Sequence, residues 1–126
     1  MTTIFVFGSN LAGIHGRGSA KEAVMHHGAV YRMGKGLQGN SYAIPTKDEN
    51  LITLPLHEIE NHVMEFITFA YVHPYLTFNI VAIGCGLAGY KPEDIAPMFK
   101  NAPSNCNLPR EFLDITQSPS TPHYTA

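Results

Sequence analysis

Glycines, small polar residues and a lysine cluster in two stretches of this chain, with a spacing that suits capture of a phosphate. The first stretch is Ile4–Ala20, IFVFGSNLAGIHGRGSA. Ile4–Phe7 reads as a short buried strand, the next eleven positions hold Gly8, Gly13, Gly16 and Gly18, and Ser19–Ala23 opens a helix. Strand, glycine-rich loop and helix start bring the backbone close to a ligand and aim free N–H groups at its negative charge. A tight turn between two packed elements accounts for the same glycines without a ligand. The second stretch repeats the arrangement. Thr77–Ile83, TFNIVAI, reads as a strand buried on both faces, and Gly84–Tyr90 is a second glycine loop. Lys91–Lys100 is then predicted as a helix, with Pro92 in its first turn and Glu93 and Asp94 beside the positive dipole end. Two such units in one short chain are expected to close on a ligand from two sides. That suits a ligand with more than one phosphate, or with a phosphate and a ribose.

Other reactive side chains are weighed against plainer roles. Lys47 follows the strand Ser41–Ile44 and the residues Pro45–Thr46, at the strand edge where open α/β sheets bind ligands. A solvated surface lysine is the alternative. Arg17, Lys21, Lys35 and Lys47 form either a small basic rim or ordinary surface charge. Cys85 lies near a helix start, where a thiol can become a nucleophile, but it is also small and apolar enough for loop packing, which is the preferred reading. No metal is expected, because His26 and His27 are adjacent and no Cys/His pair has ligand spacing. Gly34–Gly39 spells G-x-G-x-x-G, yet it leads into a strand instead of joining a strand to a helix. Ala29–Asn40 therefore reads as a mobile or ligand-covering loop. Gly84–Gly89 spells the same pattern in better context, but the 26 residues after Lys100 are too few for a second dinucleotide-binding half.

The remaining segments supply scaffold. Lys21–His27 continues the first helix and Gly28 stops it. His57–His73 is the longest helical signal, with Ile59, Val63, Phe66, Ile67 and Ala70 on one stripe and Pro74 closing it. Asn105–Ile115 holds a last short strand or helical turn, and Thr116–Ala126 reads as a tail. With 126 residues, one domain is expected, burying about two-thirds of its unfolded surface. A hydrophobic content of 44% and a net charge of −2 describe a globular protein without the footprint of a long nucleic-acid surface. No apolar run approaches the roughly 20 residues of a membrane helix, and no signal peptide is expected, since the N-terminus reads straight into the first strand. Cys85 and Cys106 are too few for a disulfide framework and point to a cytoplasmic location.

Three segments together resemble the macrodomain family of ADP-ribose-binding modules. They are Gly16–Arg17–Gly18–Ser19–Ala20, Ile44–Pro45–Thr46–Lys47 and Ile83–Gly84–Cys85–Gly86–Leu87. The resemblance spans Ile4 to Phe99 and is nearest the branch of terminal ADP-ribose glycohydrolases and antitoxins that remove ADP-ribose from DNA. It implies a three-layer α/β/α fold with a central mixed sheet, one domain over residues 1–115 with a tail over 116–126, and ADP-ribose lying across the strand ends. By position, Gly16, Gly18, Ser19 and Ala20 look like the loop near the distal ribose, with His15 beside them. Gly84, Cys85, Gly86, Leu87 and Ala88 look like the loop around the diphosphate, and Asn10 like a polar contact. Lys47 occupies the position of a nucleophile on the anomeric carbon, a role that requires a partly neutral amine. The family's acid in the diphosphate loop is here Ala88, so Asp48, Glu49 or His15 would have to replace it. The expected function is binding of ADP-ribose or a related nucleotide, with hydrolysis from a modified macromolecule through Lys47. The alternative is a non-catalytic module that reads or sequesters such a signal. No cofactor is expected. The expected partner is ADP-ribose or an ADP-ribosylated protein or nucleic acid, with no membrane contact. A binder of single-stranded RNA or nucleotide ends is disfavoured by the acidic net charge.

Overall fold

Alternation along the first strand divides the protein into two cores. In β1 (Thr3–Asn10), Ile4 and Val6 face one side of the sheet, and Phe5 and Phe7 the other. In the computed structural model, which describes residues 2–117, β1 is the central strand of a five-stranded mixed sheet. The other strands are β2 (Gly36–Gln38), β3 (Ser41–Lys47), β4 (Thr77–Ile80) and β5 (Cys106–Asn107), in the order β2-β3-β1-β4-β5. Only the β2–β3 pair is antiparallel.

The thinner core lies under α1 (Gly18–His26), where Ala20 and Ala23 meet Phe7, Ala43 and Ala29. The thicker core lies under α2 (Leu56–Val72), α3 (Pro92–Ile95) with its 3₁₀ continuation Ala96–Phe99, and α4 (Arg110–Thr116). Helices thus cover both faces in an α/β/α arrangement. The predicted stripe on α2 is the buried one: Ile59, Val63, Phe66, Ile67 and Ala70. Phe66 stands edge-on to Tyr42 and Phe78, with ring centroids 5.0 and 5.2 Å away.

Three predicted boundaries move, each for a local reason. The strand beginning at Ser41 continues to Lys47 through Pro45. β2 pairs only Ser41–Ala43, so Pro45 lies beyond that ladder, and the β1–β3 register shifts between Ser9 and Asn10. The strand beginning at Thr77 ends at Ile80 instead of Ile83, because Ile83 N–H turns back to Val81 O at 2.7 Å. The helix predicted over Lys91–Lys100 changes to 3₁₀ at Ala96, since Pro97 has no N–H to give and its ring would collide with the preceding turn of a continued α-helix. Ala29–Asn40 contains a strand, β2, and packs outside the cleft described below. Asn105–Ile115 supplies both alternatives, β5 and most of α4. Most of the predicted tail, residues 118–126, lies outside the described residues. Among the described residues no helix is long and apolar enough to cross a membrane.

Candidate functional site

β1, β3 and β4 are parallel, so their C-terminal ends open on one side, where chain direction must change and loops diverge. A cleft of about 510 Å³ lies there, within the range of small-molecule sites. Its walls are Gly8–Asn10, Ile14 and Gly16–Ala20 on one side, and Val81–Gly84 and Gly86–Ala88 on the other. Thr46, Lys47 and Leu51 complete it. The two glycine loops therefore face a shared space, and they nearly touch: a Cβ on Gly18, at φ +58°, would lie 3.8 Å from Leu87 Cδ1.

The first wall is built by Asn10 and ends in an open helix start. The Asn10 side chain donates to Ile14 O and accepts from Ile14 N–H, both at 2.9 Å, so its amide shapes the loop. Arg17, the N-cap of α1, is extended and gives no side-chain cap, and the first turn holds no acidic residue. The first helical bond runs from Lys21 N–H to Arg17 O at 3.2 Å. The N–H groups of Gly18, Ser19 and Ala20 thus have no intrahelical partner, and all three residues line the cleft.

The second wall works differently. Within the loop, Val81, Ile83, Cys85, Gly89 and Tyr90 donate their N–H groups to protein carbonyls. Among the described residues, no acceptor faces the N–H groups of Ala82, Gly84, Gly86, Leu87 and Ala88. All five of these residues line the cleft. Gly84 is fixed by its backbone: φ is +77°, and a Cβ would fall 3.1 Å from Ile95 Cδ1. The α3 start, by contrast, is closed, because Asp94 Oδ2 accepts Lys91 N–H at 3.1 Å. The second loop offers its own amides to the cleft, and the helix after it offers none.

The charges around the cleft are one-sided. Arg17 and Lys47 are the charged residues in its lining, and neither an Asp nor a Glu joins them. Asp48 Oδ1 is engaged by the N–H groups of Asn50 and Ile52 at 2.8 and 2.9 Å, closing the turn after β3. Glu49 is exposed on that turn and outside the lining. Lys21 and Lys35 also lie outside it, and Lys35 Nζ is 3.5 Å from Glu65 Oε1. The Lys47 turn is tied to the second wall: Thr53 Oγ1 donates to Ala88 O at 3.1 Å, and Tyr90 OH to Leu54 O at 2.7 Å.

Of the residues singled out in the sequence, Asn10, Gly16, Gly18, Ser19, Ala20, Lys47, Gly84, Gly86, Leu87 and Ala88 come together in the cleft. His15 and Cys85 are not in its lining. His15 is buried, with Nε2 3.0 Å from Met33 O. Cys85 packs on the larger core, and burial, reinforced by Glu111, Asp94 and Glu93, pushes its thiol up to about 11. A thiol held protonated in this way packs the loop and is a poor nucleophile. Ser9, Thr46, Leu51, Val81 and Ala82 line the cleft without having been singled out. Ser9 and Thr46 adjoin residues that were, but nothing in the sequence marks Ala82, whose role depends on where β4 stops. Comparison with protein-family models, with curated proteins and with solved structures returns no match to this chain.

Proposed function

We propose that the cleft binds ADP-ribose or a closely related nucleotide carrying a diphosphate, and that the protein reads or sequesters this ligand. The supporting observation is the unengaged N–H row of Ala82, Gly84, Gly86, Leu87 and Ala88 opposite the uncapped start of α1, in a lining with Arg17 and Lys47 but no carboxylate. Backbone donors and two cations suit a phosphate pair, and a carboxylate would repel it. The diphosphate is assigned to the second wall and the distal ribose to Gly16–Ala20. The apolar surfaces of Val81, Ile83 and Leu87 suit the uncharged parts of such a ligand.

Hydrolysis is the second reading, and Lys47 in the lining favours it. General acid–base help contributes roughly 10²–10⁴ in rate, and neither Asp48 nor Glu49 lines the cleft to give it. Binding without turnover is therefore the conclusion preferred. ADP-ribose at about 100 times Kd is expected to stabilise the protein by about 2.7 kcal/mol, read as a raised melting temperature. No shift at millimolar ADP-ribose would sink the binding reading. Release of free ADP-ribose from modified DNA or protein, lost in Lys47→Ala, would replace the reader with a hydrolase.

A further inference from the structure

Residues 28–40 contribute nothing to the cleft lining, yet they pack against the loop that does. The two ends of this segment meet at Gly28 and Gly39, where a Cβ on Gly39 would fall 2.4 Å from Gly28 O. Inside it, the buried Gln38 accepts Val30 N–H at Oε1 and donates from Nε2 to Met33 O, both at 2.8 Å. The segment, which includes β2, is closed on itself and stapled by its own side chain. Its outer edge presses backbone to backbone on the first wall. Arg32 N–H donates to Gly13 O at 2.7 Å, and Ser9 Oγ donates to Gly34 O. A Cβ on Gly34 would lie 2.3 Å from Asn10 O, so the two segments leave no room between them.

His15 is a second side-chain link between them, beside Ser9. Its neighbours Ile14 and Gly16 line the cleft, but its own ring is 4% exposed, edge-on to Phe7 at 5.3 Å. Nε2 lies 3.0 Å from Met33 O, the carbonyl that also accepts from Gln38. A carbonyl only accepts, so this bond requires the proton on Nε2, and in the neutral ring Nδ1 is then a bare lone pair. Nδ1 is buried with no hydrogen-bond partner among the described residues. Filling space beside Phe7 does not call for such a group, since an apolar side chain does so without a nitrogen to desolvate. We propose that His15 is a positioning residue that fastens the anion-binding backbone of Gly16–Ala20 to the 28–40 loop, which backs the cleft wall and does not cover the ligand. The proposal rests on the reading of the cleft as an ADP-ribose site.

The test compares wild type with His15→Phe, which keeps the ring and removes the donor, and His15→Gln, whose Nε2 can still reach Met33 O. Three quantities are read: Kd for ADP-ribose by calorimetry, ligand-free melting temperature, and amide hydrogen exchange. His15→Phe is expected to weaken binding about tenfold or more, to melt no lower than wild type, and to exchange faster at the hydrogen-bonded amides that flank this stretch, Gly13, Ile14 and Lys21, but not in β1 or β3. His15→Gln is expected to recover most of the affinity and protection. Unchanged exchange at Gly13, Ile14 and Lys21 in His15→Phe overturns the proposal. So does a lower melting temperature or failure to fold, because the nitrogen would then be structural. If wild type does not bind ADP-ribose, the functional reading fails alone, and the exchange result still decides the role of His15.

Discussion

Gly86, like Gly16, is a glycine of the cleft at which ligand binding can be separated from folding. A Cβ there meets nothing within 4 Å, and its φ is not left-handed. Gly18, at φ +58°, and Gly84, jammed against Ile95, would be strained by any side chain. Gly86→Glu is therefore expected to leave the ligand-free melting temperature near wild type while abolishing the shift with ADP-ribose, through bulk and negative charge in the proposed anion site. A retained shift would show that the second wall does not hold the phosphates. The cysteines illustrate the opposite case. Cys85 sits in the most family-like segment of the sequence, yet its side chain packs inward on the core.

The two strand–loop–helix units look alike as strings but differ as elements. α1 begins without a side-chain cap and without an acid in its first turn, whereas α3 is four residues long and closed by Asp94. An open helix start that lines a cleft forgoes stability that a cap would supply, about 0.5–2 kcal/mol. Arg17→Asp at the N-cap is accordingly expected to raise the ligand-free stability by about 1 kcal/mol, read by denaturant unfolding. The same change removes a cation and places a carboxylate on the amides assigned to the ligand, so ADP-ribose affinity should fall. A variant that gains stability and keeps full affinity would remove α1 from the site. The second loop depends on a different feature, the early end of β4. If the strand ran to Ile83, as its apolar composition suggests, Ala82 would join the ladder and not the cleft.

At the scale of the whole molecule, three weak acids, the buried Tyr42 and the part-buried Cys85 and Cys106, are expected to lower stability at alkaline pH. Burial raises Cys85 and Cys106 from 9.0 to about 11, and burial together with Glu65 raises Tyr42 from 10.0 to about 12. Each folded value lies above its unfolded one, so the unfolded chain releases these protons first. The contribution to stability is complete below pH 9 and declines as pH rises through about 11 and 12. Urea midpoints measured from pH 8 to 11 should fall with rising pH, and less steeply in Cys106→Ala. A flat profile would mean that these groups are equally easy to ionise in both states.

Much of the architecture was legible in the residues because it follows local rules. The apolar stripe of α2, the stop at Gly28 and the buried first strand are fixed by periodicity and backbone freedom. Cleft membership of Lys47, Gly86 and the start of α1 was legible too, since residues that follow parallel strands gather at one sheet edge. What composition and spacing could not settle was which polar groups are already engaged. Asn10 bonds Ile14, Asp48 caps its own turn, His15 holds Met33, and the loop amides of Ala82 and Leu87 have no acceptor among the described residues. Hydrogen-bond satisfaction depends on distances between segments far apart in the chain, so only the tertiary structure separates a group that builds the site from one that remains open to a ligand.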